Sequence, residues 1–135
     1  MTVIDLEEKQ GAWFDMEGGG KVQLRTLTTD EWKAIRKQTV KQKVDFKKVD
    51  GTPGRFPYEE VNEDLQNELF WDAVIVSWEK LFDGKGNEIP CTKENKILLM
   101  SRSAKFAKVV ADGLKIMAED ETAQAEASEK NSLTG

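Results

Sequence analysis

The sequence predicts an α+β chain, mainly α: an N-terminal β-hairpin followed by about three helices, the last two long and packed together, with a disordered C-terminal tail. Three observations predict it. Apolar residues alternate at period two on both sides of a glycine cluster near the start. They recur at helical spacing over much of the region from Thr28 to Ala118. The apolar pattern then stops at Glu119. The chain has 135 residues, 39% of them hydrophobic and 33% charged, with 4 Trp and 6 Phe. Folding at this length buries about two-thirds of the extended chain's surface, enough for one core. The aromatic content is too high for a wholly disordered chain. A single globular domain is therefore expected over residues 1–118, with the hairpin in 12–27, helices in 28–118 and a flexible acidic tail at 119–135.

The hairpin is read from Ala12–Met16 and Lys21–Leu27, which flank Glu17-Gly18-Gly19-Gly20. A first helix is expected from about Asp30 to Gln42. Thr28 and Glu31 have capping-box spacing, and Trp32, Ile35 and Val40 follow at helical intervals. Its end is ambiguous, because Val44, Phe46 and Val49 alternate like a short strand. Asp50-Gly51-Thr52-Pro53-Gly54 is the strongest loop in the chain. A second helix is expected from Pro57 to about Phe82. Pro57, Glu59 and Glu60 suit a helix start, and Leu65, Leu69, Ala73, Trp78 and Leu81 form a stripe. Trp78 is assigned to the core. After a turn-rich link at Asp83–Pro90, Thr92 caps a third helix running from Lys93 to about Ala118.

Composition excludes several chemistries. The chain has no histidine, and its one cysteine, Cys91, can form neither an internal disulfide nor a thiolate cluster. The longest apolar run, Ala73–Val76, is far short of the roughly 20 residues that span a bilayer. Met1–Gln10 has no apolar signal core, which points to the cytoplasm. Gly18-Gly19-Gly20-Lys21 lacks the earlier glycine and the following Ser or Thr of a phosphate loop, so it reads as a turn. Asp83–Glu94 has the outline of a calcium loop. Lys85, Glu88 and Pro90 stand where that loop needs an oxygen ligand, a glycine and a flexible backbone. No catalytic, metal or cofactor residues are assigned.

The charges are segregated. Residues 33–48 hold Lys33, Arg36, Lys37, Lys41, Lys43, Lys47 and Lys48 against Asp45, a net +6. Residues 58–72 hold Glu59, Glu60, Glu63, Asp64, Glu68 and Asp72, a net −6. Those carboxylates could be read as an acid pair or a Mg²⁺ site, but a solvated helix face is the simpler account. The basic segment, with Trp32 and Phe46 as stacking groups, could contact nucleic acid. The overall charge of −5 instead favours complementarity with the acidic segment, within the chain or between subunits.

Trp78-Glu79, Asp83, Gly86, Ile89-Pro90, Thr92, Glu94-Asn95, Leu98-Leu99 and Phe106 resemble the C-terminal half of the tail assembly chaperones of tailed phages. Trp13-Phe14, Val22–Leu27 and Thr28–Trp32 agree with the N-terminal part, so the resemblance covers roughly residues 12–118. Cys91 departs from it, standing where a bulky apolar residue is expected. The resemblance implies a non-enzymatic protein of a phage or prophage, active in the host cytoplasm and absent from the mature virion. Its implied partners are the tape measure protein and the tail tube protein, and self-association is open. It also implies a longer form made by a −1 ribosomal frameshift, for which Glu129-Lys130-Asn131 is the candidate tripeptide. Two other readings stand beside this one: a structural tail or head–tail connector protein of the virion, and a small nucleic-acid binder using residues 33–48.

Overall fold

The computed structural model describes residues 11–134, with side chains as far as Asp120. The elements are β1 (Ala12–Asp15), β2 (Lys21–Leu24), α1 (Thr29–Thr39), β3 (Val40–Val49), β4 (Thr52–Val61), α2 (Glu63–Val74), β5 (Ile75–Glu79), α3 (Lys93–Arg102) and α4 (Ala104–Thr134). They form two compact units. One combines the residues up to Thr26 with those from Trp71 onward. The other is Leu27–Phe70, and the division falls inside α2.

The first unit is built on an antiparallel sheet of order β1-β2-β5. Its hairpin turn is the one the glycines predict. Gly18 and Gly19 take φ of 95° and 97°, and Met16 N–H donates to Gly20 O at 2.7 Å. Phe14 pairs with Val22, and Val22 with Trp78, so these side chains share one face of the sheet. Val22, Leu24, Val74 and Ile75 are completely buried, and Trp78 nearly so. Helix α4 covers this face with Phe106, Val110 and Gly113, spaced four and three residues apart. A Cβ on Gly113 would stand 2.7 Å from Leu24 Cδ1, so the helix approaches the sheet through its smallest residue. Trp78 and Phe106 meet edge to face with centroids 5.7 Å apart, and the Trp78 indole N–H donates to Ile89 O at 2.7 Å. That bond ties the link after β5 to the core. Lys96 is buried, and its Nζ donates to both Asp72 O and Asp72 Oδ1 at 3.1 Å, joining α3 to α2.

The second unit contains α1, the two-stranded β3–β4 sheet and the first part of α2. The predicted capping box is present. Glu31 N–H donates to Thr28 Oγ1, and Thr28 N–H to Glu31 Oε1. Thr39, buried in the last turn of α1, joins three segments. Its hydroxyl donates to Ile35 O at 2.8 Å and accepts from Gln66 Nε2 at 3.1 Å, while its carbonyl accepts from Asn62 N–H at 2.7 Å. Trp32 and Phe70 stack edge to face at 6.1 Å.

The expected architecture of one hairpin followed by about three helices, mainly α, is corrected: the described residues form five strands in two sheets and four helices. The first helix ends at Thr39, and the alternation at Val44, Phe46 and Val49 belongs to a ten-residue strand. The helix expected from Pro57 to Phe82 is replaced by β4, a shorter α2 and β5. Its true start lies at Asn62, whose Oδ1 accepts from Leu65 N–H, with Glu63 and Asp64 in the first turn. It stops at the β-branched run Val74-Ile75-Val76, which gains more as the third strand of a sheet than as helix. The helix expected from Lys93 to Ala118 is two helices. Ser103 closes α3 through its N–H to Leu99 O and opens α4 by accepting from Phe106 N–H at its Oγ. Helix α4 extends to Thr134. Beyond Asp120 the side chains, those of the tripeptide Glu129-Lys130-Asn131 among them, lie outside the described residues, and with them most of the flexible tail expected at 119–135.

Candidate functional site: the uncovered β-ribbon

The β3–β4 ribbon begins with a turn chosen by two residues. Asp50 and Gly51 take φ of 55° and 79°, the positive pair that a type I′ turn requires and that Asp-Gly accommodates best. The strands pair without a bulge from Val49↔Thr52 at the turn to Val40↔Val61 at the base. Hydrogen-bonded and non-hydrogen-bonded pairs alternate along an antiparallel ladder. Counted from the turn, and from Asn62 N–H on Thr39 O at the base, the odd-numbered residues of β3 face their partners with backbone groups. Gln42, Val44, Phe46 and Lys48 therefore turn theirs outward. Pro53 and Pro57 occupy outward positions on β4, where a missing N–H breaks no ladder bond.

The side chains divide over two faces. Lys41, Lys43, Asp45, Lys47 and Val49 lie on one face of β3, with Phe56, Tyr58 and Glu60 beside them on β4. Gln42, Val44, Phe46 and Lys48 lie on the other, with Arg55, Pro57 and Glu59. Neither face is covered within the unit: every residue of both strands except Val40, Asp45 and Gly54 is exposed. Phe46 is 74% exposed, Val49 52% and Tyr58 47%. The Arg55 guanidinium sits 6.0 Å from the Phe46 ring centroid. Around this pair Lys48, Pro53 and Gly54 complete a hollow of 330 Å³.

Part of the charge segregation closes on the ribbon. Lys43 pairs with Glu60, Arg36 Nη2 lies 3.6 Å from Glu59 Oε2, and Gln42 Nε2 donates to Glu59 Oε1 at 3.0 Å. The hydrogen bond from Lys43 holds the Glu60 carboxyl below its usual range, and the same bond raises Lys43. Lys47 instead turns to Asp45 on its own strand, at 3.3 Å. The remaining acids go elsewhere. Glu63, Asp64 and Glu68 stay on α2, and Asp72 holds Lys96. The structure therefore does not gather the six carboxylates into one site.

Other candidates resolve into structure. Asp83 Oδ1 accepts from the N–H groups of Lys85 and Asn87, so it organises its own turn. Cys91 Sγ lies 4.0 Å from Val76 O, and burial pushes its thiol up, away from the reactive thiolate. Among the described residues no group of three or more His, Cys, Asp or Glu side chains could hold a metal ion. Among them, too, no helix is long and apolar enough to cross a membrane. In the first unit, Met16, Leu81, Phe82, Leu99 and Phe106 line a second hollow of 300 Å³. The ribbon was legible only in part. The alternation around Phe46 was visible, but β4 was hidden behind its helix-like Pro57-Tyr58-Glu59-Glu60.

Fold and ribbon define an α+β protein that displays Phe46, the most exposed large apolar side chain among the described residues, on a two-stranded sheet. The chain belongs to the YdaY prophage protein family, which it matches over residues 21–131. It is thus a prophage protein. No curated protein and no solved structure matches it.

Proposed function

We propose that this prophage protein is a non-enzymatic tail assembly chaperone, which binds the tape measure protein and helps recruit tail tube subunits. One observation carries the reading: the ribbon leaves apolar side chains exposed on both faces, Val49, Phe56 and Tyr58 on one and Phe46 on the other. Clustered apolar side chains in water are the mark of a surface that meets another chain. Prophage membership supports the setting, and the resemblance of Trp78-Glu79 through Phe106 to tail chaperones supports the role.

The test is co-expression with the tape measure protein encoded by the same prophage. The expected result is a soluble complex that survives purification, with the tape measure protein insoluble when expressed alone. Failure to raise its solubility rejects the proposal. Mass spectrometry of purified particles separates a chaperone from a tail or connector component: a stoichiometric amount of this chain in the virion assigns it to the particle. The proposed longer form is checked in the gene. A broken adenine run at the Glu129-Lys130-Asn131 codons removes the shift from this tripeptide.

A further inference from the structure

The two edges of the ribbon are unequal. On β4 the outward positions include Pro53 and Pro57, which have no N–H to give, so a strand laid along that edge would find an interrupted ladder. On β3 the outward positions from Gln42 to Lys48 keep every N–H and C=O, and among the described residues no strand lies beside them. This open edge runs about 20 Å at the usual strand rise. Lone two-stranded ribbons are marginal in water, and a third strand is what stabilises them.

Charge then selects the strand. One face of β3 presents Lys41, Lys43 and Lys47 against Asp45, with Lys43 in an exposed pair to Glu60 of β4 and Lys47 in one to Asp45, which leaves the lysines in excess; the other presents Val44 and Phe46 between Gln42 and Lys48. A second copy of β3 would set lysine beside lysine, which is unfavourable between neighbouring strands. The residues that disfavour self-pairing suit a strand of opposite sign. We propose that the β3 edge takes a third strand from a partner protein, an extended segment in which acidic residues alternate with apolar ones. Its acids lie beside the lysine row, and its apolar side chains extend the Val44–Phe46 face. Backbone hydrogen bonds supply affinity and the alternation supplies specificity, as in other cases of strand addition. This inference rests on the ribbon alone and stands apart from the tail-assembly reading.

Fluorescence anisotropy on the full chain tests it. The probe is a labelled peptide of about ten residues alternating valine and glutamate. The comparisons are a scrambled peptide of the same composition, an alternating valine–lysine peptide and a labelled single-stranded oligonucleotide. The expected result is saturable binding of the alternating acidic peptide, at least about tenfold tighter than either peptide comparison. Val44→Pro removes one outward N–H at a position equivalent to Pro57 and should weaken binding about tenfold. Where Val44→Pro loses the folded circular dichroism spectrum, the double variant Lys41→Glu, Lys47→Glu decides. It should move the preference from the acidic peptide to the basic one. Equal binding of the scrambled peptide, unchanged preference in the charge variant, or tighter binding of the oligonucleotide overturns the proposal. So does a concentration-dependent dimer that Val44→Pro abolishes, since it would place a second copy on the edge.

Discussion

Trp78 shows how much one side chain can organise. It is 6% exposed, packs on Phe106 and donates to Ile89 O. Truncation to alanine removes a large apolar contact and leaves that carbonyl short of a donor. Trp78→Ala should cost about 3–5 kcal/mol in urea unfolding; near-normal stability would move Trp78 out of the core. Thr39 acts through polarity instead. Thr39→Val keeps the shape but leaves Gln66 Nε2 without its acceptor, an expected loss of about 1–3 kcal/mol by the same measurement. Cys91 gives a pH effect of definite sign. Burial raises its pKa in the folded state, so the fold prefers the neutral thiol. The contribution is complete below the unfolded thiol's pKa of about 8.5 and is lost as pH rises through the higher folded value. Alkaline melting curves of the protein should therefore fall more steeply than those of Cys91→Ala. Iodoacetamide should also alkylate native Cys91 more slowly than the unfolded chain.

Elements begin and end here for local reasons, but what they become depends on pairing. The Ser103 break is local. Ser103→Ala removes the acceptor for Phe106 N–H and should cost about 1 kcal/mol, measured as a lowered unfolding midpoint. The ribbon is set by its ladder, and hydrogen exchange should show the ladder directly. The amides of Lys41, Lys43, Asp45 and Lys47 face β4 and should exchange more slowly than those of Gln42, Val44, Phe46 and Lys48. Uniform protection along β3 would mean that something already covers the outward edge.

Across the molecule, charge and apolar surface are distributed differently. Among the described residues, every buried apolar residue except Ile35 lies in the unit built on β1, β2 and β5, while exposed aromatics occur in both units: Phe46, Phe56 and Tyr58 on the ribbon, Trp13 and Phe82 in the first unit. Of the acidic segment only Glu59 and Glu60 meet the basic one at the ribbon, through Arg36–Glu59 and Lys43–Glu60. Both pairs are exposed to solvent, so salt screens them and they are weak supports. The melting temperature should therefore barely move between about 0.05 and 0.5 M NaCl; a drop of many degrees would assign the ribbon charges a structural role.

Sequence alone determined what depends on near neighbours. The glycine turn between β1 and β2, the Thr28–Glu31 capping box, the Thr92 cap and the core place of Trp78 are all written within a few residues of where they act. Tertiary structure decided the rest. Pro57-Tyr58-Glu59-Glu60 carries a good helix-start signal and is a strand because residues 40–49 lie beside it. Val74-Ile75-Val76 continues a helical stripe in register and leaves the helix because β2 offers an edge. Strand pairing joins residues far apart in the chain, and its energy comes from a partner that local periodicity does not contain.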